Sequence, residues 1–236
     1  MSSLPRRVPI SLGRDGQVSG LLQVPSGALA CYVLAHGAGA GMDHPFLGSM
    51  ATELADRAIA TLRFQFPFME RGSRRPDPPG VAQETVRAAV KVASELVPEL
   101  PLIAGGRSFG GRMASQAQAA SALAGVRGLA FLGFPLHPAK RPSADRANHL
   151  FEIDIPMLFL QGTRDDLADL QLLRSVCDQL GDRATLRLFE DADHGFHVRA
   201  RSGRTDAQIR ADIADSVAGW IGSLVDPKGR PEGGLG

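Results

Sequence analysis

A serine in a glycine-flanked pentapeptide is the first feature of this chain that suggests covalent chemistry. Ser108 lies at the centre of residues 106–110 (GRSFG), which fit the pattern G-x-S-x-G. Residues 101–105 before it are typical of a strand, and residues 109–123 after it are typical of a helix. A strand-to-helix elbow exposes its central side chain at a strained turn and needs small residues two positions to either side. We therefore predict that Ser108 is a nucleophile; a serine that only caps the helix is the alternative.

A serine hydroxyl becomes a good nucleophile only when a positioned base removes its proton. The chain has six histidines, and His194 follows a predicted strand at 185–189 and a short turn at 191–193. Loops at the carboxyl ends of strands are where open α/β sheets bind their ligands. We predict His194 as the general base, with His197 as its competitor.

The acid that orients the base is predicted in residues 161–166 (QGTRDD), which follow another predicted strand. A carboxylate there would hold the imidazole and favour its protonated form. We choose Asp165, with Asp166 as the fallback that otherwise begins a solvated helix. The resulting order, Ser108, Asp165, His194, is the one found in the α/β-hydrolase fold and in neither of the two well-known serine protease folds.

Two backbone N–H groups are predicted to form an oxyanion hole. Residues 36–40 (HGAGA) follow a continuously apolar strand, and small residues let the backbone approach a ligand closely. The N–H of Ala38 would act together with that of Phe109, at a helix N-terminus whose partial positive charge favours an oxyanion. A tight glycine turn without this role is the alternative.

Arginines near these segments suggest an anionic substrate. They are Arg71, Arg74 and Arg75, after a predicted strand, and Arg107, beside the serine. Guanidinium groups bind carboxylate or phosphate through paired hydrogen bonds, so Arg71, Arg75 and Arg107 are candidate substrate-binding residues. For the first three arginines we favour the alternative, in which they pair with Glu70 and Asp77 or face water.

The elements that must position these residues alternate between strands and helices. Strands are predicted at 8–12, 19–24, 29–35, 60–66, 102–104, 129–134, 156–160 and 185–189, and helices at 44–57, 81–97, 109–123, 167–180 and 206–224. This alternation predicts right-handed βαβ units and a mostly parallel central sheet with helices on both faces. The first two strands, joined by a tight turn at 13–16, predict an antiparallel edge.

The predicted elements fit a single domain over residues 1–225. Residues 136–154, between two strands, are too few for a separate lid domain, so we expect a minimal cap. Residues 226–236 are rich in glycine and proline, and we expect them to form a flexible C-terminal tail.

The composition disfavours several classes of protein. Apolar residues make up 44%, which suits a globular core, and 26 basic residues nearly cancel 25 acidic ones, so no overall field attracts nucleic acid or membrane. Two cysteines are too few for a disulfide framework, and no apolar run suits a signal peptide or a membrane span. We expect a cytoplasmic protein that needs no metal or cofactor and acts on a small acyl compound.

Four segments of the chain resemble the signature sites of the α/β-hydrolase superfamily: 36–40, 106–110, 162–165 and 193–194. Residues 63–72 (RFQFPFMERG) and 134–138 (FPLHP) are similar to a subgroup that includes testis-expressed protein 30 and subunit 3 of the chromatin-associated NSL complex. This subgroup is close to the dienelactone-hydrolase type. The resemblance spans about residues 8–225 and implies the triad Ser108, Asp165 and His194, with Ala38 and Phe109 as oxyanion donors.

The resemblance does not carry a substrate with it. Dienelactone hydrolases have cysteine where this chain has Ser108, so their substrate is not transferred. The residues predict hydrolysis of a carboxylic ester or related acyl compound through an acyl-enzyme, with a peptidase as a less favoured option. The alternative from another class is a non-catalytic protein that keeps the fold for binding. A competent residue at every triad position favours the enzyme.

Overall fold

Strands and helices alternate along residues 4–13 and 16–225, the part of the chain that the computed structural model describes. The eight strands of this part are β1 (Arg6–Ser11), β2 (Gln17–Gln23), β3 (Ala30–Ala35), β4 (Ile59–Phe64), β5 (Leu102–Arg107), β6 (Val126–Leu132), β7 (Met157–Gly162) and β8 (Ala184–Phe189). All the predicted strands are present, with ends shifted by at most three residues. The predicted tail, 226–236, lies outside the described residues.

The helices are α1 (Pro45–Ala55), α2 (Pro67–Glu70), α3 (Pro79–Leu96), α4 (Phe109–Ala120), α5 (Leu170–Leu180) and α6 (Asp206–Val225). The sequence did not predict α2 or the 3-10 helix at Asp145–Glu152, because hydrophobic periodicity needs several turns to be visible. Among the described residues, no helix combines the length and the apolar character that crossing a bilayer requires.

One sheet contains all eight strands, in the order β1-β2-β4-β3-β5-β6-β7-β8. β1 pairs antiparallel with β2, and β2 pairs antiparallel with β4. Every other neighbouring pair is parallel. This topology confirms the predicted α/β-hydrolase fold, with a mostly parallel sheet and an antiparallel edge.

The sheet is buried on both faces because its central strands are apolar at almost every position. In β3, Cys31 and Val33 pack into the core beneath α3, α4 and α5, whereas Tyr32 and Leu34 pack into the core beneath α1 and α6. This alternation follows from the two-residue period of a strand. Cys177 of α5 is likewise a buried free thiol, as expected for a small core residue.

The parallel strands all end on the same side of the sheet, which we call its carboxyl edge. The predicted site residues lie at this edge. Ala35 pairs with Gly106 between β3 and β5, and Arg107 pairs with Leu132 between β5 and β6. The loops that follow these strand ends therefore emerge side by side. Residues 36–40, Ser108 and the segments after β6, β7 and β8 all lie at this edge.

Candidate active site

Ser108 occupies the sharp turn between β5 and α4. Its backbone has φ 49° and ψ −114°, a conformation that residues with a side chain rarely adopt. The Ser108 N–H donates to the carbonyl of Leu132 at 3.2 Å, and its own carbonyl accepts from the N–H of Arg112 at 3.1 Å. Strand β6 and the first turn of α4 therefore hold the strained residue in place.

Gly106 and Gly110 allow the strand and the helix to pack closely around this turn. A Cβ atom on Gly106 would lie 2.2 Å from the carbonyl oxygen of Ala35, and one on Gly110 would lie 2.5 Å from that of His36. Both distances are too short for any side chain. The glycines of the G-x-S-x-G pattern are thus required by the packing of the elbow against β3.

The structure brings Ser108, His194 and Asp165 into one hydrogen-bonded chain. Ser108 Oγ lies 2.8 Å from His194 Nε2, and His194 Nδ1 lies 2.7 Å from Asp165 Oδ2. The carboxylate can only accept, so Nδ1 carries the ring proton and Nε2 is free to accept from the serine hydroxyl. The Asp165 side chain is fully buried, whereas that of His194 is 25% exposed. A base that reaches solvent and an acid shielded from it are what proton transfer to and from a substrate needs.

Asp165 is held by two further donors. The N–H of Leu167 donates to Oδ1 at 2.8 Å, and the side-chain amide of Gln161 donates to Oδ2. The amide oxygen of Gln161 accepts from the N–H of Phe134 at 2.9 Å, so this buried glutamine links the acid to the loop after β6. No role for Gln161 is predicted from the sequence, although a polar residue at the end of an apolar strand is a visible signal.

The two fallback residues lie away from this chain of hydrogen bonds. Asp166 is exposed, and within residues 4–13 and 16–225 it forms no hydrogen bond or ion pair. His197 is exposed, and its Nδ1 lies 2.8 Å from Asp206, whose carboxylate raises the pKa of His197. The geometry therefore favours Asp165 and His194 over these neighbours.

His36 fixes the turn that carries the predicted oxyanion donor. Its Nε2 accepts from the N–H of Phe66 at 3.0 Å, and its Nδ1 donates to the carbonyl of Gly37 at 2.8 Å. Burial lowers the pKa of His36 to about 4, so the ring is neutral near pH 7 and can accept as well as donate. A Cβ on Gly37 would lie 3.8 Å from the Cβ of Ser108, so the turn passes directly beside the nucleophile.

The two predicted oxyanion donors, Ala38 and Phe109, directly follow Gly37 and Ser108 in the chain and are partly exposed. Neither backbone N–H donates to an acceptor in the part of the chain that the structure describes. Phe109 packs edge-on against Phe66 and Phe68, which limits its movement. Two unpaired N–H groups, one in the turn that passes beside the serine and one on the residue after it, are what a developing oxyanion would require.

The predicted substrate-binding arginines have different surroundings. Arg71 pairs with Asp77 at 2.7 Å, as in the alternative favoured above, and no contact joins Arg71 or Arg75 to the triad within the described residues. The guanidinium of Arg107 lies 4.8 Å from the centre of the Phe46 ring. Burial lowers the pKa of Arg107, and the charges of Asp193 and Asp165 oppose this shift. Of the three candidates, Arg107 is the one beside the triad.

Replacing Gln161 by methionine is expected to lower kcat about tenfold to a hundredfold, because the acid loses a buried donor worth about 1.5–3 kcal/mol. KM should change little, since Gln161 touches the acid and not the substrate. Steady-state kinetics on an ester substrate would measure both constants.

Gln118→Met is the matched control for Gln161. Gln118 is also buried, and its side-chain oxygen accepts from the N–H of Leu123 at 2.8 Å, away from the triad. Both variants should lose thermal stability, but only Gln161→Met should lose kcat. Equal kcat values for the two variants would reduce Gln161 to a structural role.

Several solved structures share this fold. A dienelactone hydrolase from Anabaena variabilis has a TM-score of 0.75 at 20% identity, covering 94% of this chain and 99% of that one. An α/β serine hydrolase without a lid from Xanthomonas campestris has a TM-score of 0.71 at 20% identity, covering 93% and 96%. An esterase domain from Rhodothermus marinus has a TM-score of 0.73 at 15% identity, covering 94% and 100%. At these identities the similarity shows a common fold.

Within residues 4–13 and 16–225, no group of three or more His, Cys, Asp or Glu side chains is arranged to hold a metal ion.

The family to which the chain belongs follows from its sequence match and its architecture together. A family model described as an alpha/beta hydrolase domain matches residues 28–222, which run from two residues before β3 into α6. The chain therefore belongs to the alpha/beta hydrolase domain family.

Proposed function

We propose that this protein is a serine hydrolase that cleaves a carboxylic ester or a related acyl bond through an acyl-enzyme intermediate. The observation that carries the proposal is the chain of hydrogen bonds from Ser108 through His194 to Asp165. The names of its structural neighbours, which include a serine hydrolase and an esterase domain, support the same class of reaction. We also propose the narrower subgroup of testis-expressed protein 30 and a cytoplasmic location, both on the sequence alone.

In the first half of the reaction, His194 Nε2 removes the proton of Ser108 as the serine oxygen attacks the substrate carbonyl. The tetrahedral oxyanion would be stabilised by the N–H groups of Ala38 and Phe109. Asp165 stabilises the imidazolium that forms. When the intermediate collapses, the imidazolium gives its proton to the departing alcohol, and the acyl group remains on the serine.

In the second half, the same groups act on water. His194 removes a proton from a water molecule, which attacks the acyl-enzyme carbonyl. Collapse of the second tetrahedral intermediate breaks the bond to Ser108, and the imidazolium returns its proton to the serine oxygen. The products are a carboxylic acid and the alcohol, and the enzyme is regenerated.

A second serine lies 2.7 Å from a histidine, but its surroundings differ from those of Ser108. Ser115 is fully buried within α4, and its hydroxyl lies 2.9 Å from the carbonyl of Arg112 as well as near His149 Nε2. Burial lowers the pKa of His149 to about 4, and no carboxylate pairs with this ring within the described residues. The pair lacks an acid, an exposed nucleophile and a strained turn, so we assign it a structural role.

Fluorophosphonate labelling of the purified protein, followed by a panel of acyl esters of graded chain length, tests the proposal. We expect one labelled serine and turnover of at least one ester. Absence of both would contradict the proposed activity and favour the non-catalytic alternative, in which the fold is kept for binding.

Arg71→Ala is expected to change the kcat/KM of neutral and carboxylate-bearing esters by the same factor, within about twofold, because its guanidinium already pairs with the buried carboxylate of Asp77 and is not free to bind a substrate carboxylate. Its partner Asp77 also accepts from the N–H of Phe68, so the carboxylate keeps one donor. Matched ester pairs on wild type, Arg71→Ala and Arg75→Ala measure the effect. A larger loss on the carboxylate ester would give that arginine a role in substrate recognition.

A further inference from the structure

Two arginines beside the candidate site form no ion pair with an acidic residue in the described part of the chain. Arg112 lies in the first half of α4, and Arg146 lies near the start of the 3-10 helix at Asp145–Glu152. Within residues 4–13 and 16–225, neither guanidinium pairs with a carboxylate. Arg112 Nε is buried without a hydrogen-bond partner, and Arg146 Nη1 makes one long hydrogen bond, 3.5 Å, to the carbonyl of Pro135.

The bond between Ser115 and His149 explains why these two charges lie close together. It joins α4 to the 3-10 helix, and Arg112 and Arg146 each lie three residues before the joined residue. Residues three apart share a face in both kinds of helix. Consistent with this placement, burial and then repulsion by Arg146 lower the pKa of Arg112. A half-buried pair of like charges is unfavourable unless an anion compensates it.

The arginine pair also lies on the side of the nucleophile. The N–H of Arg112 donates to the Ser108 carbonyl, so the two residues are one helical turn apart, about 5.4 Å along the axis. Helical side chains lean toward the helix N-terminus, which for α4 is the sheet edge that carries Ser108. Pro135, the partner of Arg146, follows closely on Gly133, where a Cβ would lie 3.5 Å from the His194 ring.

We propose that Arg112 and Arg146 form a subsite for a carboxylate group of the substrate, so that the preferred substrates are esters with a free carboxylate, such as half-esters of dicarboxylic acids. This proposal rests on the proposed hydrolase function. Guanidinium groups match a carboxylate through paired, charge-assisted hydrogen bonds, and two of them in a partly buried setting can bind both oxygens. The substrate carboxylate would supply the counter-charge that none of the described residues supplies.

The test uses two pairs of esters that differ only in the carboxylate. On the acyl side, p-nitrophenyl hemisuccinate is compared with p-nitrophenyl butyrate; on the alcohol side, 4-carboxyphenyl butyrate is compared with phenyl butyrate. In at least one pair, Arg146→Gln and Arg112→Gln should lower kcat/KM for the carboxylate ester about tenfold to a hundredfold more than for the neutral one. Arg146→Lys keeps the positive charge but not the paired N–H donors of the guanidinium. It should therefore lower kcat/KM for the carboxylate ester less than Arg146→Gln does.

Arg127→Gln is the matched control for the loss of one positive charge. Arg127 is exposed near the start of β6, on the side of the sheet where the parallel strands begin, opposite the candidate site. Arg127→Gln should change kcat/KM by the same factor for the two esters of each pair. If Arg146→Gln and Arg112→Gln also affect them equally, in both pairs, the subsite is wrong, whereas Ser108-dependent turnover of the neutral esters would leave the proposed hydrolase function intact.

If no ester is hydrolysed, the proposed function is contradicted, but a binding experiment can still test the subsite. Calorimetry on the folded Ser108→Ala protein measures the Kd of succinate, with and without Arg146→Gln. A Kd raised about tenfold or more by the second substitution would support the subsite. An unchanged Kd, or no succinate binding to either protein, would overturn it.

Discussion

Replacing Ser108 by alanine is expected to lower kcat by a factor on the order of 10⁶ and to abolish labelling by a fluorophosphonate. The substitution removes the oxygen that both attacks the carbonyl and reacts with the phosphonate. Nothing else in the chain of hydrogen bonds is lost, because His194 keeps its contact with Asp165. Alanine is smaller than serine, so the packing of the elbow is retained. Gel-based labelling, ester kinetics and circular dichroism of the same preparations would measure the three properties.

Ser115→Ala is the control, because Ser115 is a second serine hydrogen-bonded to a histidine. This variant should remain labelled. Its unfolding free energy should fall by about 1 kcal/mol, the usual worth of a buried neutral hydrogen bond. Labelling that survives in Ser108→Ala and disappears in Ser115→Ala would move the nucleophile into α4 and overturn the assignment made here.

The elbow could be predicted from the sequence because its constraints are local. Only glycine fits at positions 106 and 110, where a Cβ would collide with the backbone of β3, and this leaves a readable pattern around Ser108. The strands were equally visible, since burial on both faces makes β3, β4 and β7 apolar at almost every position. Their continuous apolar runs and their alternation with helices led directly to the parallel sheet.

The residues that position the triad could not be assigned in this way, because their partners are distant in the chain. Gln161 lies close to its acid in sequence, but its other partner, Phe134, belongs to the loop after β6. His36 acts on the turn beside Ser108 through the N–H of Phe66, which follows β4. Such pairs form only when neighbouring strands end together, and no local pattern records which strands are neighbours.

The roles of the arginines are also hard to predict from the sequence, because they depend on tertiary partners. Arg71 is a candidate from the sequence because it follows a strand that ends on the side of the candidate site, yet a nearby acid, Asp77, pairs with it. No sequence pattern marks Arg112, although it lies one helical turn after the nucleophile, because its neighbour Arg146 lies in a helix that the sequence does not predict. Whether a charge is free to bind substrate depends on tertiary partners rather than on its residue type.

Replacing Asp165 by asparagine is expected to lower kcat by about 10⁴, whereas Asp166→Asn should leave it within about twofold. The carboxylate of Asp165 accepts the Nδ1 proton of His194, which leaves Nε2 free to accept from the serine. An asparagine amide can present its own N–H groups to Nδ1, which moves the ring proton to Nε2 and blocks the general base. It also removes the negative charge that stabilises the imidazolium.

Adjacent acids could not be distinguished by residue type, so this pair of substitutions decides between them. The geometry favours Asp165 because its side chain is buried and bound by Leu167 and Gln161, whereas Asp166 is exposed. Each variant is compared with wild type by kcat on an ester and by the rate of fluorophosphonate labelling. A large loss in Asp166→Asn together with a mild one in Asp165→Asn would reverse the assignment. Similar losses in both would mean that neither carboxylate alone orients His194. If one carboxylate bore the triad charge by itself, its replacement would lower kcat far more than replacement of its solvent-exposed neighbour.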